Sequence, residues 1–316
     1  MNLLLSFWYY RDVDLDAFLG RFPEKPDVFV DSGAFSASRV PGQRVDVDSY
    51  AAWVKRWRHH ITVFANLDVI GDPRATAGNQ KRMEDMGLAP LPVNHATGDA
   101  SLDFDRLAAL CERYPYVCLG GQVGSGGNTL MPWLVRAFRI AEGTGTRFHG
   151  FGQTRAEVLR DLPWYSVDSS SWGSVYRYGG LSLWDDQRLK WVKVSLRDVK
   201  QVKAHYDLIR RYGITGSFVA TAGRKDDPER VPRAERALLA RASALAWQRY
   251  EAYLQKRHHV SPPAGLAGGD GPRVYLATEA RFTNGTLDGL TGMGPKVYLA
   301  DGHPENLLMG ATGAWT

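Results

Sequence analysis

The first two-thirds of the chain alternate short apolar runs with amphipathic stretches, and this alternation restricts the fold more than any other feature. Apolar runs that alternate with helix-period segments are typical of parallel strands joined by crossover helices. We predict strands near 3–8, 27–31, 61–68, 90–94, 116–120, 147–151 and 164–168. We predict helices near 48–59, 73–86, 103–113, 129–142 and 154–161. The pattern therefore indicates the α/β class.

Seven such strands need one more to close a (β/α)8 TIM barrel, which we favour over an open doubly wound sheet. The eighth strand is expected at 189–195 or at 216–220. Two long helices follow the barrel in this prediction, at about 198–212 and 234–257. The expected fold is thus a TIM barrel with C-terminal helices and a small C-terminal appendage.

The chain length and one Gly- and Pro-rich stretch set the expected domain boundaries. A chain of 316 residues fits one barrel-sized domain with a short addition rather than two full domains. We assign 1–260 to the barrel with its C-terminal helices and 261–272 to a linker. The remainder, 273–316, is expected to form a separate small β-rich tail, to which the sequence assigns no chemistry.

Composition excludes several classes of protein. No apolar run approaches the roughly 18 residues that a bilayer span needs, and the start lacks a signal peptide's basic region. We therefore expect no membrane partner and a cytoplasmic location, in a bacterium or a phage-infected host. Cys111 and Cys118 are too few for a zinc cluster and are expected to be buried, one on a helix and one on the next strand. We expect no metal and no cofactor.

The net charge of +5 is unevenly distributed along the chain. Between residues 187 and 260, 17 Lys and Arg stand against 7 Asp and Glu, which leaves an acidic excess of about five elsewhere. A basic flank beside an acidic pocket suits a polyanionic substrate, although solvated helix faces also collect cations. The candidate nucleic-acid contacts are Arg188, Lys190, Lys193, Arg197, Lys200 and Lys203.

Three predicted strands deliver an aspartate at or near their carboxyl ends: Asp31, Asp68 and Asp168. Carboxyl ends of parallel strands meet at one edge of a sheet, where barrel enzymes place their catalytic residues. Any one aspartate could instead cap the following helix. Three in one chain indicate a pocket for acid, base or nucleophile chemistry.

Two further strand ends are rich in glycine. Gly120 and Gly121 follow one strand without the Lys-Ser/Thr ending of a P-loop, so we expect their backbone to approach a flat ligand. His149 and Gly150 end the next strand. His149 could be a general base, but a stacking role against the ligand is favoured.

These motifs, taken in order, resemble a known family. Asp31-Ser32-Gly33-Ala34-Phe35 is similar to a motif of the tRNA-guanine transglycosylases, also called queuine tRNA-ribosyltransferases. The sequences 148–152 and 165–172 look closer to the DpdA-type DNA-guanine transglycosylases, which insert 7-deazaguanines into DNA. The resemblance covers roughly residues 27–172 and rests on the ordered set, because each motif is short.

The resemblance implies a (β/α)8 barrel and a role for each matched residue. Asp168 corresponds to the nucleophile, Asp31 to the acid/base carboxylate and Asp68 to the group that binds the guanine edge. Phe35 and His149 correspond to the side chains that sandwich the base. The other implied base or sugar contacts are Ser32, Asn94, Gly120, Gly121, Gln122 and Gly150, with His95 replacing Asn94 under a one-residue slip.

The resemblance also implies partners and leaves alternatives open. The expected partners are DNA and a 7-deazaguanine base such as preQ0, with a helper ATPase left open. Family members that act on tRNA carry a zinc site of three Cys and one His, which two cysteines cannot supply, so tRNA is the alternative substrate. The other classes considered are a non-catalytic nucleic-acid-binding barrel and a small-molecule barrel enzyme such as a glycosidase.

Overall fold

The computed structural model describes residues 2–20, 22, 25–97, 99–121, 127–169, 180–196, 198–215, 233–266, 269–277 and 298–300. The strands are β1 (Asn2–Ser6), β2 (Asp27–Asp31), β3 (Ile61–Phe64), β4 (Val93–His95), β5 (Tyr116–Gly120), β6 (Arg147–Gly150), β7 (Ser166–Ser169), β8 (Gly180–Asp185), β9 (Lys190–Ser195), β10 (Arg273–Ala277) and β11 (Tyr298–Ala300). The helices are α1 (Phe7–Tyr10), α2 (Leu15–Leu19), α3 (Ala34–Ser38), α4 (Val47–Arg56), α5 (Pro73–Asp85), α6 (Ala100–Arg113), α7 (Gly127–Glu142), α8 (Ala156–Asp161), α9 (Val199–Ala204), α10 (Tyr206–Arg211) and α11 (Arg233–His258).

Two parallel sheets form the centre of the molecule, which confirms the α/β class. One has the order β1-β2-β3 and the other the order β11-β10-β7-β6-β5-β4. A parallel bridge between Ala65 and Leu91 joins the segment after β3 to the segment before β4. β1 also contacts β10 and β11. The strands therefore follow one another in space in nearly the order in which they occur in the chain.

The prediction that 189–195 forms the eighth strand of a parallel barrel is wrong. β9 pairs antiparallel with β8 in a separate two-stranded sheet, because a short turn between the two strands makes this local pairing available. β10 pairs parallel with β7 instead. Arg273–Ala277 therefore extends the six-stranded sheet and does not belong to a separate tail. The other candidate, 216–220, lies outside the described residues.

The described core has a large outer part and a small inner part. The outer part lies between the strands and the helices, and includes Cys111 on α6. The inner part consists of Leu4, Phe29, Ala65, Val93 and Cys118, contributed by β1, β2, β4, β5 and the segment that follows β3. Both cysteines are buried and free, on a helix and on the next strand, as predicted.

Aspartates cap the amino-terminal ends of five of the described helices. The side chains of Asp14, Asp46, Asp72, Asp99 and Asp198 each accept a backbone N–H from the first turn of α2, α4, α5, α6 and α9. The first backbone N–H groups of a helix have no partner within the helix, and these carboxylates accept them. Capping therefore explains these five aspartates without a catalytic role.

The basic segment after β9 differs from the expected single helix. It forms the two short helices α9 and α10, which meet at His205. The long final helix α11 extends one residue beyond the predicted range at each end. In the described part of the chain, no helix is both long enough and apolar enough to cross a membrane.

Candidate active site

The three strand-end aspartates come together at one edge of the sheets. Asp31 is the last residue of β2, and Asp168 lies on β7. Asp68 follows the end of β3 by four residues. The charges of Asp68 and Asp168 both act on Asp31, so the three carboxyl groups form one electrostatic cluster.

Asp31 is half-buried and has a strongly raised pKa. Burial, and then the negative charges of Asp68 and Asp168, raise its pKa from an ordinary value of 3.8 to about 7. The backbone N–H of Gly33 donates to Asp31 Oδ2 at 3.1 Å and opposes part of this shift. Asp31 can therefore hold or release a proton near neutral pH, as a general acid or base requires.

The turn after Asp31 depends on glycine. Gly33 has a φ of +75°, and a Cβ on it would lie 2.4 Å from Ser6 Oγ and 2.5 Å from Trp8 Cβ. This tight turn starts α3 and brings Phe35 to the surface, where its side chain is 46% exposed. The guanidinium of Arg39 lies 5.3 Å from the Phe35 ring centroid. The ring offers the exposed flat surface that stacking on a base needs.

Asp68 is held by two side chains from neighbouring strands. Ser32 Oγ donates to Asp68 Oδ1 at 3.2 Å, and His95 Nε2 lies 3.1 Å from Asp68 Oδ2. A Cβ on Gly120 would lie only 2.4 Å from the His95 ring. The glycine at the end of β5 therefore provides the space that lets His95 reach Asp68.

Asp168 is anchored from β6 and the turn that follows it. The backbone N–H of Gly152 donates to Asp168 Oδ1 at 2.9 Å, and His149 Nε2 lies 3.4 Å from the same oxygen. On its other side the His149 ring shares a hydrogen bond with Ser166 Oγ, which contacts Tyr116 Oη. This buried network fixes the direction of the Asp168 carboxylate.

Three expected base or sugar contacts differ from the sequence-based interpretation. Asn94 is buried and turned towards α6, where its side-chain N–H lies 3.5 Å from the Asp103 carbonyl, so His95 takes the position at the site. His149 is fully buried and stacks on Phe29 at 4.5 Å, so its ring forms the floor instead of contacting a ligand directly. The α-carbon of Gly150 faces the Trp164 ring, where a Cβ would clash at 2.6 Å.

Of the remaining expected contacts in the segment after β5, Gly121 is among the described residues and Gln122 is not. Gly121 has a φ of +72°, and a Cβ on it would lie 3.1 Å from the Ala96 carbonyl, so the backbone turns sharply beside the His95 segment. Gln122 lies outside the described residues. At both Gly120 and Gly121 the space that a Cβ would fill is taken by the His95–Ala96 segment, and the approach of their backbone to a ligand stays a prediction.

Sequence reasoning missed two residues at the site. Ser6 ends β1 in register with Asp31, and its buried hydroxyl has no hydrogen-bond partner among the described residues. Phe151 is half-buried and packs edge-on to His149 at 4.8 Å, two residues further along. The predicted first strand, near 3–8, placed Ser6 within the strand, whereas β1 ends at Ser6, so no signal in the sequence marked this residue.

The described basic candidates lie on the surface of the hairpin and of α9. Arg188 lies between β8 and β9, Lys190 and Lys193 on β9, and Lys200 and Lys203 on α9; all five are exposed. Arg197 lies outside the described residues. On β9, Lys193 alternates with the buried Val192 and Val194, so the strand packs on one face and presents charge on the other.

The cluster lacks neutralising Lys or Arg partners within the described ranges. There, the groups within ion-pair distance of the three carboxylates are His95 at Asp68 and His149 at Asp168. Closely spaced acids without strong cations favour keeping one proton, here on Asp31. No family model matches this chain, and no curated protein matches it either.

Proposed function

We propose that the chain is a transglycosylase that exchanges guanine in DNA for a 7-deazaguanine such as preQ0. The observation that carries this proposal is the coupled group of Asp31 on β2, Asp168 on β7 and Asp68 in the segment that follows β3. One carboxyl group with a pKa of about 7 beside two others supports a division into a proton carrier, a nucleophile and a base-binding group.

We infer that the strands close into a (β/α)8 barrel in which β10 takes the eighth position, with β11 added between β10 and β1. Phe29 on β2 stacks on His149 on β6, a contact between strands of different sheets that closure would place opposite each other. The contacts of β1 with β10 and β11 support closure on the other side. The inner core residues would then fill the barrel below the carboxylates.

The proposed reaction has two displacements at C1′ of the target sugar. In the first, an oxygen of Asp168 bonds to C1′ while the bond from C1′ to guanine N9 breaks, and protonated Asp31 gives its proton to the leaving base. In the second, the incoming base bonds to C1′, loses its proton to Asp31, and releases the Asp168 carboxylate. Two inversions retain the configuration at C1′.

The exchange balances without a cofactor or ATP. One N-glycosidic bond is broken and an equivalent bond is made, so no external energy source is needed to drive the chemical step. A 7-deazaguanine carries carbon at position 7 but keeps the N1–H and N2–H₂ edge of guanine. Both bases therefore present the same donors to the same acceptor.

Asp68 is the proposed acceptor for that donor edge. An ionised carboxylate can accept from N1–H and N2–H₂ together, and adenine, which lacks these donors, would leave the carboxylate unpaired. Ser32 and His95 bind opposite oxygens of Asp68 and would fix its plane. Phe35 would stack on one face of the base.

DNA fits this pocket only if the target nucleotide leaves its base stack. The exposed basic residues of the hairpin and α9 are the proposed phosphate contacts. Affinity for DNA should then fall with salt, by roughly 0.7 to 0.9 in log K per unit of log salt for each phosphate contacted. Replacing Lys200 and Lys203 by Gln should flatten this slope without changing which base is exchanged. An unchanged slope would assign these residues to solvated surface.

The decisive experiment supplies radiolabelled guanine or preQ0 with either DNA or tRNA and asks which polymer becomes labelled. Label in DNA supports the proposal, and label in tRNA alone would transfer the same chemistry to the alternative substrate. DNA binding without labelling of either polymer, under conditions where candidate helper ATPases are also supplied, would favour a non-catalytic nucleic-acid-binding protein. Release of sugar from oligosaccharides instead would identify a glycosidase.

A further inference from the structure

We propose that Asp16, His59 and His60 form a binding site for a divalent transition metal of the zinc class. Asp16 lies on α2, whereas the two histidines lie in the turn between α4 and β3. Their ligand atoms, one per residue, all lie within 4.8 Å of one another. The site is independent of the proposed transglycosylase chemistry, so either proposal can fail alone.

The geometry brings both imidazoles to one carboxylate oxygen. His60 Nε2 lies 2.6 Å and His59 Nε2 lies 3.2 Å from Asp16 Oδ1. The two rings are neighbours, with centroids 4.1 Å apart. Ligands bound at about 2.0 to 2.1 Å in a tetrahedron stand roughly 3.3 Å apart. A small opening of the His60 contact would therefore bring both distances between histidine nitrogen and Asp16 Oδ1 to this spacing.

The ligand types select the metal class. Imidazole nitrogen together with one carboxylate oxygen suits Zn²⁺, and also Ni²⁺ and Cu²⁺, better than the all-oxygen preference of Mg²⁺ or Ca²⁺. The pKa of Asp16 is lowered by its hydrogen bonds to His60 and His59, so the carboxylate is ionised at neutral pH. Three protein ligands leave a fourth position for water.

Exposure allows an ion to enter without rearranging the core. The side chains of His59 and Asp16 are 58% and 66% exposed, whereas that of His60 is 14% exposed and forms the inner side. Lys25 Nζ donates to the His59 backbone carbonyl at 2.8 Å, so this hydrogen bond does not involve the His59 imidazole. Trp57 lies beside both rings, with centroids 6.2 Å away.

The site lies at the opposite end of the sheet from the carboxylate cluster. His60 immediately precedes β3, whereas Asp31 ends its parallel neighbour β2. A bound ion would join α2 to the turn before β3 at the amino-terminal edge. We therefore assign it a role in tying two connecting segments together, and none in base exchange.

The test is calorimetric titration of the full chain, without an affinity tag, with Zn²⁺. We expect one ion per chain and a rise in melting temperature with zinc. Asp16→Asn, His59→Ala and His60→Ala should each weaken binding by at least about tenfold, because each removes one of three ligands. The matched control is His205→Ala, which removes an imidazole between α9 and α10, away from the proposed site. This variant should bind zinc with the affinity of the original chain.

Cobalt(II) gives a second readout that does not depend on stability. Co²⁺ at this site should produce visible absorption typical of nitrogen and oxygen ligation, which excess Zn²⁺ removes and which the three variants lack. Zinc affinity that is equal in the original chain and in all three variants would overturn the proposal. So would the absence of binding by the original chain, which would leave the three residues as a hydrogen-bonded group only.

Discussion

Asp31 and Asp16 lie at opposite ends of the sheet formed by β1, β2 and β3, and their pKa values move in opposite directions. Asp31, half-buried beside two further carboxylates, has its pKa raised to about 7. Asp16, exposed beside two imidazoles, has its pKa lowered. Asp31 is therefore suited to carry a proton, whereas Asp16 is suited to remain negatively charged.

The neighbouring groups account for the opposite shifts in pKa. Burial without a cation penalises the charged form of Asp31, whereas hydrogen bonds from imidazoles stabilise the charged form of Asp16. Aspartates such as Asp46, which only cap helices, have a third environment: backbone N–H groups lower the pKa without any partner for chemistry.

The largest expected effect is that of Asp168→Asn on base exchange. The amide keeps the shape of the side chain but cannot attack C1′, so exchange should fall by about 10³-fold or more while DNA affinity changes little. Asp46→Asn removes an aspartate that only caps α4 and should exchange bases normally. Full turnover by Asp168→Asn would remove this residue from the nucleophile role.

Asp31→Asn should reduce exchange by about 10²-fold, because it removes the group that moves protons to and from the bases. In the original chain the rate should depend on a group that titrates near pH 7. The variant should lose this dependence as well as the rate. A slow variant with an unchanged pH profile would mean that Asp31 acts by position and not by proton transfer.

The stability of the same variant should depend on pH. The raised pKa of Asp31 means that its contribution is fully present below pH 3.8 and is lost as pH rises through about 7. Asp31→Asn should therefore be more stable than the original chain at pH 8, by about 2 kcal/mol after allowance for solvent screening, and equal to it near pH 3.5. Asp16→Asn should show the opposite sign, with a loss at neutral pH that disappears in acid. Denaturant unfolding at several pH values would measure both.

Asp68→Ala has the smallest expected effect of the three cluster aspartates. It should raise the KM for the base by roughly 10-fold to 100-fold, equivalent to the 1 to 3 kcal/mol that an unpaired donor edge costs. The kcat should change less, since the variant keeps Asp31 and Asp168. Steady-state kinetics with labelled guanine separates the two, and a normal KM would show that another group binds the base edge.

The sequence predicted the positions of single strands better than the contacts between distant parts of the chain. β5 was predicted with its observed bounds, and each of Asp31 and Asp168 lies on its expected strand, because an apolar run is a local signal. The choice between Asn94 and His95 required knowing which face of β4 is inward, and a one-residue shift reverses it. The alternation in β9 is equally compatible with a sheet edge and with a hairpin, so its partner could not be read from the pattern.

The same limit applies to the clusters of titratable groups. Asp16 and the two histidines are more than 40 residues apart in sequence, and no spacing rule brings them together. Ser6 was missed for the same reason, since its relation to Asp31 depends on the register between β1 and β2. Contacts of this kind follow from strand pairing and not from motifs.

Carbon NMR titration of the aspartate carboxyl groups shows whether the carboxylate cluster holds a proton at neutral pH. We expect one carboxyl signal with a midpoint near pH 7 that is absent in Asp31→Asn. A second signal, absent in Asp16→Asn, should have its midpoint below 3.8. If the Asp31 carboxyl instead titrates at or below its ordinary value, the carboxylate cluster does not hold a proton at neutral pH, and the proposed acid/base chemistry is contradicted.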